Sequence, residues 1–266
     1  MNSHIRSVEF IDHRLSPAEA EIRISVYLDE ITPTTTIRGR LMGPTCRYAS
    51  TVEVAYPLRP LSNSQSPPAV VARVIIPEPS LWDPASPFLY YGPIELWQDG
   101  LLLERVVARH GLRSRSLGPT GLRWNGGSLP LNGWTGVITK EEEMLALRGA
   151  GHNLLTVRST TAASPLWEMA DRIGILMVGT LQGLDEPLAV EIAKHPSCLG
   201  FVLEPATWAK VDAQVLRRFK TATNSFVGID LSEPATELPA GADFVLCDAQ
   251  SGKAMADAGV LVIVRC

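Results

Sequence analysis

Three carboxylates in this sequence each follow a short apolar segment: Glu204, Asp230 and Asp248. A carboxyl group at the end of a buried strand can act as a general acid or base, because an apolar wall raises its pKa toward neutrality. For Glu204 the alternatives are a solvated carboxylate or an ion pair with Arg158, which ends another apolar segment. For Asp230 and Asp248 the alternative is the cap of the following helix or turn. Catalytic and structural roles are therefore both open for all three residues.

Sequence motifs for several other chemistries are missing. The four cysteines are far apart and form no C-x-x-C pair, which predicts neither a zinc site nor a compact disulfide framework. Cys198 and Cys247 adjoin apolar segments, where buried free thiols are expected. The sequence has no phosphate-binding glycine loop, no G-x-G-x-x-G and no H-E-x-x-H. We therefore expect no metal and no cofactor.

The composition is that of a globular protein with a small negative charge. Hydrophobic residues make up 45% and charged residues 20% of the 266 residues, and the formal net charge is −4. Because no basic surface is expected, nucleic acid is excluded as the main partner. No apolar run approaches the roughly 20 residues that span a bilayer, and residues 1–12 lack the apolar region of a signal peptide. The sequence thus predicts a cytoplasmic protein without a membrane partner.

The first part of the sequence is typical of short antiparallel strands. Residues Ala20–Leu28 alternate between apolar and polar side chains, as a half-buried strand does. Gln98–Gly100 is a turn signal between the apolar segments Ile94–Trp97 and Leu101–Val107. Several such strands within one domain favour an immunoglobulin-like β-sandwich, which we place at residues 1–113.

After residue 113, continuous apolar strands alternate with amphipathic helices. We expect helix starts at Thr139 and Ser164, which are candidate N-caps, and further helices at Pro187–Lys194, Val211–Lys220 and Lys253–Ala258. This alternation indicates βαβ units and a parallel sheet. A complete eightfold barrel takes roughly 200 to 250 residues, more than residues 114–266 provide. We therefore predict a multidomain β plus α/β protein, in which the sandwich is followed by a compressed or incomplete (β/α) TIM-like barrel of about seven strands at 114–266.

The segment Pro79–Tyr90 resembles the junction between sandwich and barrel in family 2 glycoside hydrolases, the β-galactosidase and β-glucuronidase group, where the pattern is P-x-L-W-x-P-x-x-P-x-L-Y. Three further segments resemble motifs of that family in the same order. Leu122–Gly127 is similar to its F-x-x-N-G-K hairpin, and Ser164–Met177 to its S-P-x-x-L-x-x-C-D-x-x-G-L-L-V segment. His195–Ser197 matches the H-P-S that precedes its fourth barrel strand. The resemblance implies the family's sandwich and barrel.

The resemblance also implies a chemistry, retaining glycoside hydrolysis. One carboxylic acid protonates the leaving oxygen and one carboxylate attacks the anomeric carbon, with the two groups about 5 to 5.5 Å apart at the carboxyl ends of barrel strands. In this sequence Ala206 stands where the family has its acid/base glutamate, Glu204 lies two positions earlier, and Pro205 replaces an asparagine. The candidate seventh strand, Val260–Val264, is followed by Arg265 and no carboxylate. The scaffold is thus better matched than the catalytic pair.

Three further residues are candidates for sugar binding. Arg158 ends the segment Gly151–Arg158, which resembles the family's G-x-N-x-x-R motif, and the alternative for it is a paired structural cation. Trp134 and Trp208 are expected near the same barrel face, where an aromatic side chain can stack on a sugar ring. The alternative for both is a tryptophan that fills the end of a small barrel.

We predict a degenerate, non-catalytic relative of family 2 glycoside hydrolases with a carbohydrate-binding or a structural, interaction role. The alternative is an active retaining glycosidase that uses Glu204 as acid/base and Asp230 or Asp248 as a non-standard nucleophile. The candidate partners are a carbohydrate and, because a reduced barrel leaves a sheet edge exposed, a second copy of the chain or another protein that covers it.

Overall fold

A computed structural model describes residues 3–66, 69–118, 121–158, 164–231, 240–248 and 262–265. The chain divides into two units, Met1–Trp82 with Ser86–Arg113 and Asp83–Ala85 with Ser114–Cys266. Each unit has a hydrophobic core of its own.

The first unit consists of two four-stranded antiparallel sheets. The strand order of one sheet is β1 (Ile5–Leu15), β2 (Glu19–Leu28), β6 (Ala69–Pro77) and β5 (Arg59–Ser66), and that of the other is β4 (Val54–Pro57), β3 (Thr36–Thr45), β7 (Leu89–Gln98) and β8 (Leu101–His110). Every second residue of β2, from Ala20 to Leu28, is fully buried, because successive strand residues point to opposite faces. One hydrophobic cluster contains residues of both sheets, so their inner faces pack together. The predicted sandwich is confirmed.

The turn between β7 and β8 has the conformation that its sequence predicts. A two-residue hairpin turn of type I′ needs a positive φ at both central residues. Asp99 has φ 52° and Gly100 has φ 78°, so the hairpin predicted at this turn is confirmed.

The segment that resembles the family junction is held by two buried aromatic residues of the first unit. Trp82 is fully buried, and its backbone N–H donates a 2.7 Å hydrogen bond to the carbonyl oxygen of Leu112. The hydroxyl of Tyr90 accepts from the backbone N–H of Ser80 at 2.9 Å. Burial raises the pKa of Tyr90 to about 12, so its hydroxyl stays protonated at neutral pH.

The second unit contains a seven-stranded parallel sheet in the residues that the structure describes. A small antiparallel sheet precedes it, formed by β9 (Arg115–Gly118), β10 (Gly121–Trp124) and β11 (Gly127–Ser128). The order of the parallel strands follows the sequence: β12 (Gly133–Thr135), β13 (Leu154–Arg158), β14 (Leu176–Leu181), β15 (Cys198–Leu203), β16 (Phe226–Asp230), β17 (Phe244–Asp248) and β18 (Val262–Arg265). Cα atoms of β12 and β18 approach within 8 Å, so the sheet nearly closes. The prediction of a reduced TIM-like barrel is confirmed.

Five helices are described: α1 (Glu141–Gly149), α2 (Pro165–Ile173), α3 (Glu186–Ala193), α4 (Pro205–Trp208) and α5 (Ala213–Thr223). Their apolar side chains pack with strand residues in one cluster that includes Trp167, Phe201 and Phe219. Helix α4 is absent from the sequence-based prediction, and the predicted helix at Lys253–Ala258 lies outside the described residues. Among the described helices, none has the length and apolar character needed to cross a membrane.

The helix starts follow from capping side chains, with one correction. Ser164 is the N-cap of α2, as predicted, and proline occupies the first turn. The prediction that Thr139 caps α1 is wrong, because the N-cap is Lys140. The carboxylate of Glu143 reaches back and accepts hydrogen bonds from the backbone N–H groups of Thr139 at 2.9 Å and Lys140 at 3.2 Å. Glu143 thus makes the bond of a capping box that runs from the third helical residue back to the N-cap N–H.

Candidate functional site

The carboxyl ends of β15, β16 and β17 bring the predicted carboxylates together. Leu203 is opposite Ile229 in the parallel ladder, so the next residues, Glu204 and Asp230, occupy neighbouring positions. Adjacent strands are about 4.8 Å apart, which sets the spacing of the two backbones. Asp230 is opposite Leu246 in the next ladder, so Asp248 ends β17 two residues further along that strand. The three residues thus follow neighbouring strands at one end of the sheet.

Glu204 and Asp230 are directed toward the inside of the barrel. Leu203 belongs to the hydrophobic cluster between the sheet and the helices, and Ile229 belongs to a second cluster. Trp208 packs against both clusters, so both lie on the helix side of the sheet. Because strand side chains alternate between faces, the residues that follow Leu203 and Ile229 point the opposite way. Glu204 keeps an extended backbone, with φ −66° and ψ 149°, and is partly exposed. The two carboxylates therefore project side by side from the same face.

The position where the family has its acid/base glutamate is helical here. Glu204 is the N-cap of α4, and its carbonyl oxygen accepts from the backbone N–H of Trp208 at 2.9 Å. Pro205 fixes the first helical position, which its ring geometry suits. Ala206 follows in the first turn as an exposed methyl group. The sequence offers no carboxylate at this position, and the helix replaces the extended strand end.

The other charged candidates also lie at carboxyl ends of strands. Arg158 is opposite Thr180 at the end of β13, and Asp248 is opposite Arg265 at the end of β17 and β18. Counted from β12, β18 is the seventh strand, so the strand that carries the nucleophile in the family ends with an arginine among the described residues.

Trp134 and Trp208 contact the core on the helix side of the sheet. Trp134 is opposite Leu155, a fully buried member of the cluster between the strands and the helices, and packs against that cluster. Trp208 packs against the same cluster and against the one around Ile229. These contacts favour a role in which the two tryptophans fill space in the fold, over an aromatic platform for a sugar.

Two cavities in the second unit lie around α5, away from the carboxylates. One has a volume of about 760 Å³ and the other about 440 Å³. Neither is lined by Glu204 or Asp230. The concave surfaces described for this unit thus do not coincide with the predicted site.

A buried polar cluster that the sequence analysis did not assemble joins α2 to β15. Asp171 is 3% exposed; one carboxylate oxygen lies 2.7 Å from His195 Nδ1, and the other accepts from Ser197 Oγ at 2.6 Å and Ser197 N at 3.0 Å. A serine nucleophile would need its hydroxyl hydrogen bonded to the histidine. Here the hydroxyl donates to the carboxylate, so the cluster fixes the chain ahead of β15. Its members are 24 and 26 residues apart, a separation that leaves no local sequence signal.

The described residues contain no group of three or more histidine, cysteine, aspartate and glutamate side chains that could hold a metal ion. Cys198 and Cys247 are buried and form no disulfide, as predicted for both.

Comparisons with known proteins agree with this architecture. The family model described as "Glycosyl hydrolases family 2" matches residues 3–113. No curated protein matches the chain. Among solved structures, a family 2 glycosyl hydrolase from Bacteroides cellulosilyticus has a TM-score of 0.70 at 15% identity, over 99% of this chain and 43% of that chain. A β-glucuronidase from Bifidobacterium dentium has a TM-score of 0.72 at 12% identity, over 98% of this chain and 52% of that one.

A third similar structure is described as an FMN-binding β-glucuronidase from Facaelibacterium prausnitzii L2-6, with a TM-score of 0.72 at 13% identity, over 98% of this chain and 47% of that one. The chain thus spans about half the length of these structures. Residues 3–113 form a glycosyl hydrolase family 2 domain, and the chain over its length has the sandwich and barrel fold of that family.

Proposed function

We propose that this chain is a non-catalytic relative of the family 2 glycosyl hydrolases. The observation that carries the proposal is the direct passage from β15 into α4. The helix puts Ala206 where the family has its acid/base glutamate, and Glu204 two residues earlier becomes a helix N-cap. A retaining mechanism needs a proton donor beside the leaving oxygen, and the methyl group of Ala206 cannot donate a proton.

The arrangement of the remaining carboxylates supports the same conclusion. In a retaining enzyme the acid and the nucleophile approach different atoms of one glycosidic linkage, with the carboxyl groups about 5 to 5.5 Å apart. Glu204 and Asp230 lie at the ends of the fourth and fifth strands of the sheet, whereas the family carries its pair on the fourth and seventh. At the end of the seventh strand the described residue is Arg265. Since neither family position carries a carboxylate, we expect the rate enhancement of a glycosidase to be lost.

The remaining role is binding, either of a carbohydrate or of another protein. The strand ladder ends at β12 on one side and at β18 on the other among the described residues. Because Cα atoms of β12 and β18 approach within 8 Å, the two ends of the ladder face each other and leave no room for a further strand between them. We propose that a second copy of the chain or a protein partner instead covers the end of the reduced barrel, with a carbohydrate as the other candidate ligand.

One observation favours a second candidate function, an active retaining glycosidase. The ladder register places Glu204 beside Asp230, and two carboxylates at neighbouring positions can share the roles of acid and nucleophile if a substrate lies across both. Asp248, one layer further out, is the other candidate nucleophile.

Hydrolysis of a panel of aryl glycosides separates the two functions. The panel includes β-glucuronides and β-galactosides, since similar structures are described as a β-glucuronidase and a putative β-galactosidase. The variants are Glu204→Gln and Asp230→Asn, and Glu186→Gln is the matched control because this carboxylate lies on α3 and pairs with Arg218. We expect no release of the aryl group above the buffer rate for the wild-type chain or any variant. Turnover that Glu204→Gln abolishes and Glu186→Gln preserves would overturn the non-catalytic proposal.

A further inference from the structure

The larger cavity of the second unit lies at the opposite end of β16 from Asp230. Its volume is about 760 Å³, within the usual range for small-molecule sites. Phe226, the first residue of β16, and Asp243, just ahead of β17, are among its lining residues, together with one face of α5. The five residues of β16 separate it from the predicted carboxylate group by about 13 Å along the strand.

Positive charge is in excess around this cavity. Arg115, Arg217 and Lys220 line it, and the only carboxylate among the described lining residues is that of Asp243. Lys220 pairs with Asp243, with 2.6 Å between Nζ and Oδ1. Because Lys220 and Asp243 offset each other, the cation of Arg217 gives the described lining an excess of positive charge.

Arg115 contributes charge to the cavity while its hydrogen bonds serve the fold. Its guanidinium donates to the carbonyl oxygens of Cys198 at 2.5 Å and Leu199 at 3.0 Å, and to that of Asn224. These carbonyl acceptors fix the orientation of the guanidinium group. The guanidinium carbon also lies 5.5 Å from the centre of the Phe226 ring, a cation–π arrangement.

Arg217 and Asn224 supply donors that the fold does not use. Within the described residues, the guanidinium of Arg217 makes no ion pair and no hydrogen bond, and the side chain is exposed on α5. Asn224 ends the same helix in the left-handed region, with φ 46°, and in the described part of the chain its amide group has no hydrogen-bond partner. Arg217 and Asn224 are two helical turns apart, about 10 Å along the axis, and both line the cavity. A guanidinium fork and an amide are donors that suit the oxygens of a phosphate or carboxylate group.

Part of the remaining wall of the cavity is apolar, and Thr221 and Ser225 add hydroxyl groups to it. Leu216, 5% exposed, lines it together with Ala213 and Phe226. An apolar wall beside excess positive charge fits a ligand with an anionic head and a compact apolar body. We propose that this cavity binds a small organic anion, with Arg217 and Asn224 as direct ligands of the anionic group and Phe226 and Leu216 in contact with the apolar part.

Isothermal titration of the full chain with phenyl phosphate tests the proposal. Inorganic phosphate and benzyl alcohol are titrated separately, because each carries only one half of the proposed ligand chemistry. The charge variant is Arg217→Gln. The matched control is Arg218→Gln, which removes the same charge from the next residue of α5, an arginine that pairs with Glu186. Ala213→Trp fills the cavity without a change of charge, and circular dichroism checks that each variant folds.

We expect phenyl phosphate to bind more tightly than either half-ligand, and salt to weaken the binding. Arg217→Gln should weaken it by about tenfold, Ala213→Trp should abolish it, and Arg218→Gln should change it less than twofold, or about 0.4 kcal/mol. No detectable binding to the wild-type chain would overturn the proposal. Equal losses in Arg217→Gln and Arg218→Gln, or equal affinities for phosphate and phenyl phosphate, would overturn it as well.

Discussion

Replacement of Asp171 by asparagine tests how much the buried cluster ahead of β15 contributes to the second unit. The carboxylate is 3% exposed and accepts from two atoms of Ser197, while its other oxygen lies 2.7 Å from His195 Nδ1. Asparagine has nearly the same shape, so the substitution removes the charge and one acceptor and leaves no cavity. The change in the free energy of unfolding therefore reports on the hydrogen bonds and the charge of this carboxylate.

The magnitude follows from these contacts. Net contributions of hydrogen bonds to a charged group are about 1.5 to 3 kcal/mol each. Asparagine keeps one oxygen for Ser197 and loses the acceptor beside His195, so the expected loss is about 2 kcal/mol. Asp171→Ala leaves every partner unsatisfied and should cost about 3 to 5 kcal/mol, a large part of the roughly 5 to 15 kcal/mol typical of a domain. Asparagine is the better probe, because the alanine variant risks unfolding.

Urea unfolding, monitored by hydrogen exchange of peptides from α2 and β15, measures the change in the free energy of unfolding. For a urea slope of about 2 kcal/mol per molar, a loss of about 2 kcal/mol lowers the midpoint by about 1 M. Asp185→Asn is the control, since this exposed N-cap of α3 accepts from Leu188 N at 3.1 Å and asparagine caps equally well. Identical midpoints for Asp171→Asn and Asp185→Asn would refute the assignment of the cluster as a structural anchor.

Three further outcomes are expected. Gly200→Ala should destabilise the barrel by more than about 1 kcal/mol, measured by thermal unfolding, because an added Cβ would overlap the carbonyl oxygen of Phe226; an unchanged Tm would contradict the close pairing of β15 with β16. Tyr90→Phe should cost about 1 kcal/mol in urea unfolding of the first unit, since it removes the hydroxyl that bonds the backbone of the junction segment. Burial raises the pKa of Asp12, but the charge and the hydrogen bond of His110 lower it by more, so the pKa lies below its ordinary value of 3.8. The contribution of Asp12 to the free energy of unfolding is therefore present above about pH 4 and is lost as the pH falls through the lowered pKa. Asp12→Asn should remove this part of the acid dependence in urea titrations at stepped pH.

Local sequence signals predicted most of the elements around the site. The period of two over Ala20–Leu28 and the turn at Asp99 and Gly100 locate β2 and the β7–β8 hairpin, because side-chain alternation and positive φ are properties of the local chain. Ser164 followed by proline locates the start of α2 for the same reason. Strand β1 escaped prediction because most of its residues are only partly buried and show no clean alternation.

The side-chain arrangement around the site depends on contacts that the sequence does not encode locally. The inward direction of Glu204 could be argued from strand parity, whereas its position beside Asp230 depends on the ladder register between β15 and β16. The direction of Trp134 follows from its pairing opposite Leu155, which a three-residue strand does not reveal. Asp171 and Ser197 meet only because α2 packs beside the start of β15. Short helix α4 was missed because four residues carry no helical period.

Trapping of a covalent intermediate tests our proposal that this chain has the fold of the family 2 glycosyl hydrolases without their catalysis. A retaining glycosidase forms a covalent glycosyl-enzyme intermediate. With a 2-fluoro glycosyl fluoride as substrate this intermediate accumulates, because the fluorine at C2 slows its hydrolysis. Intact mass spectrometry after incubation with the glucuronyl and galactosyl reagents should show the unmodified mass of the chain. A mass increase of one glycosyl group that disappears in Asp230→Asn or Asp248→Asn would contradict the claim and identify the nucleophile.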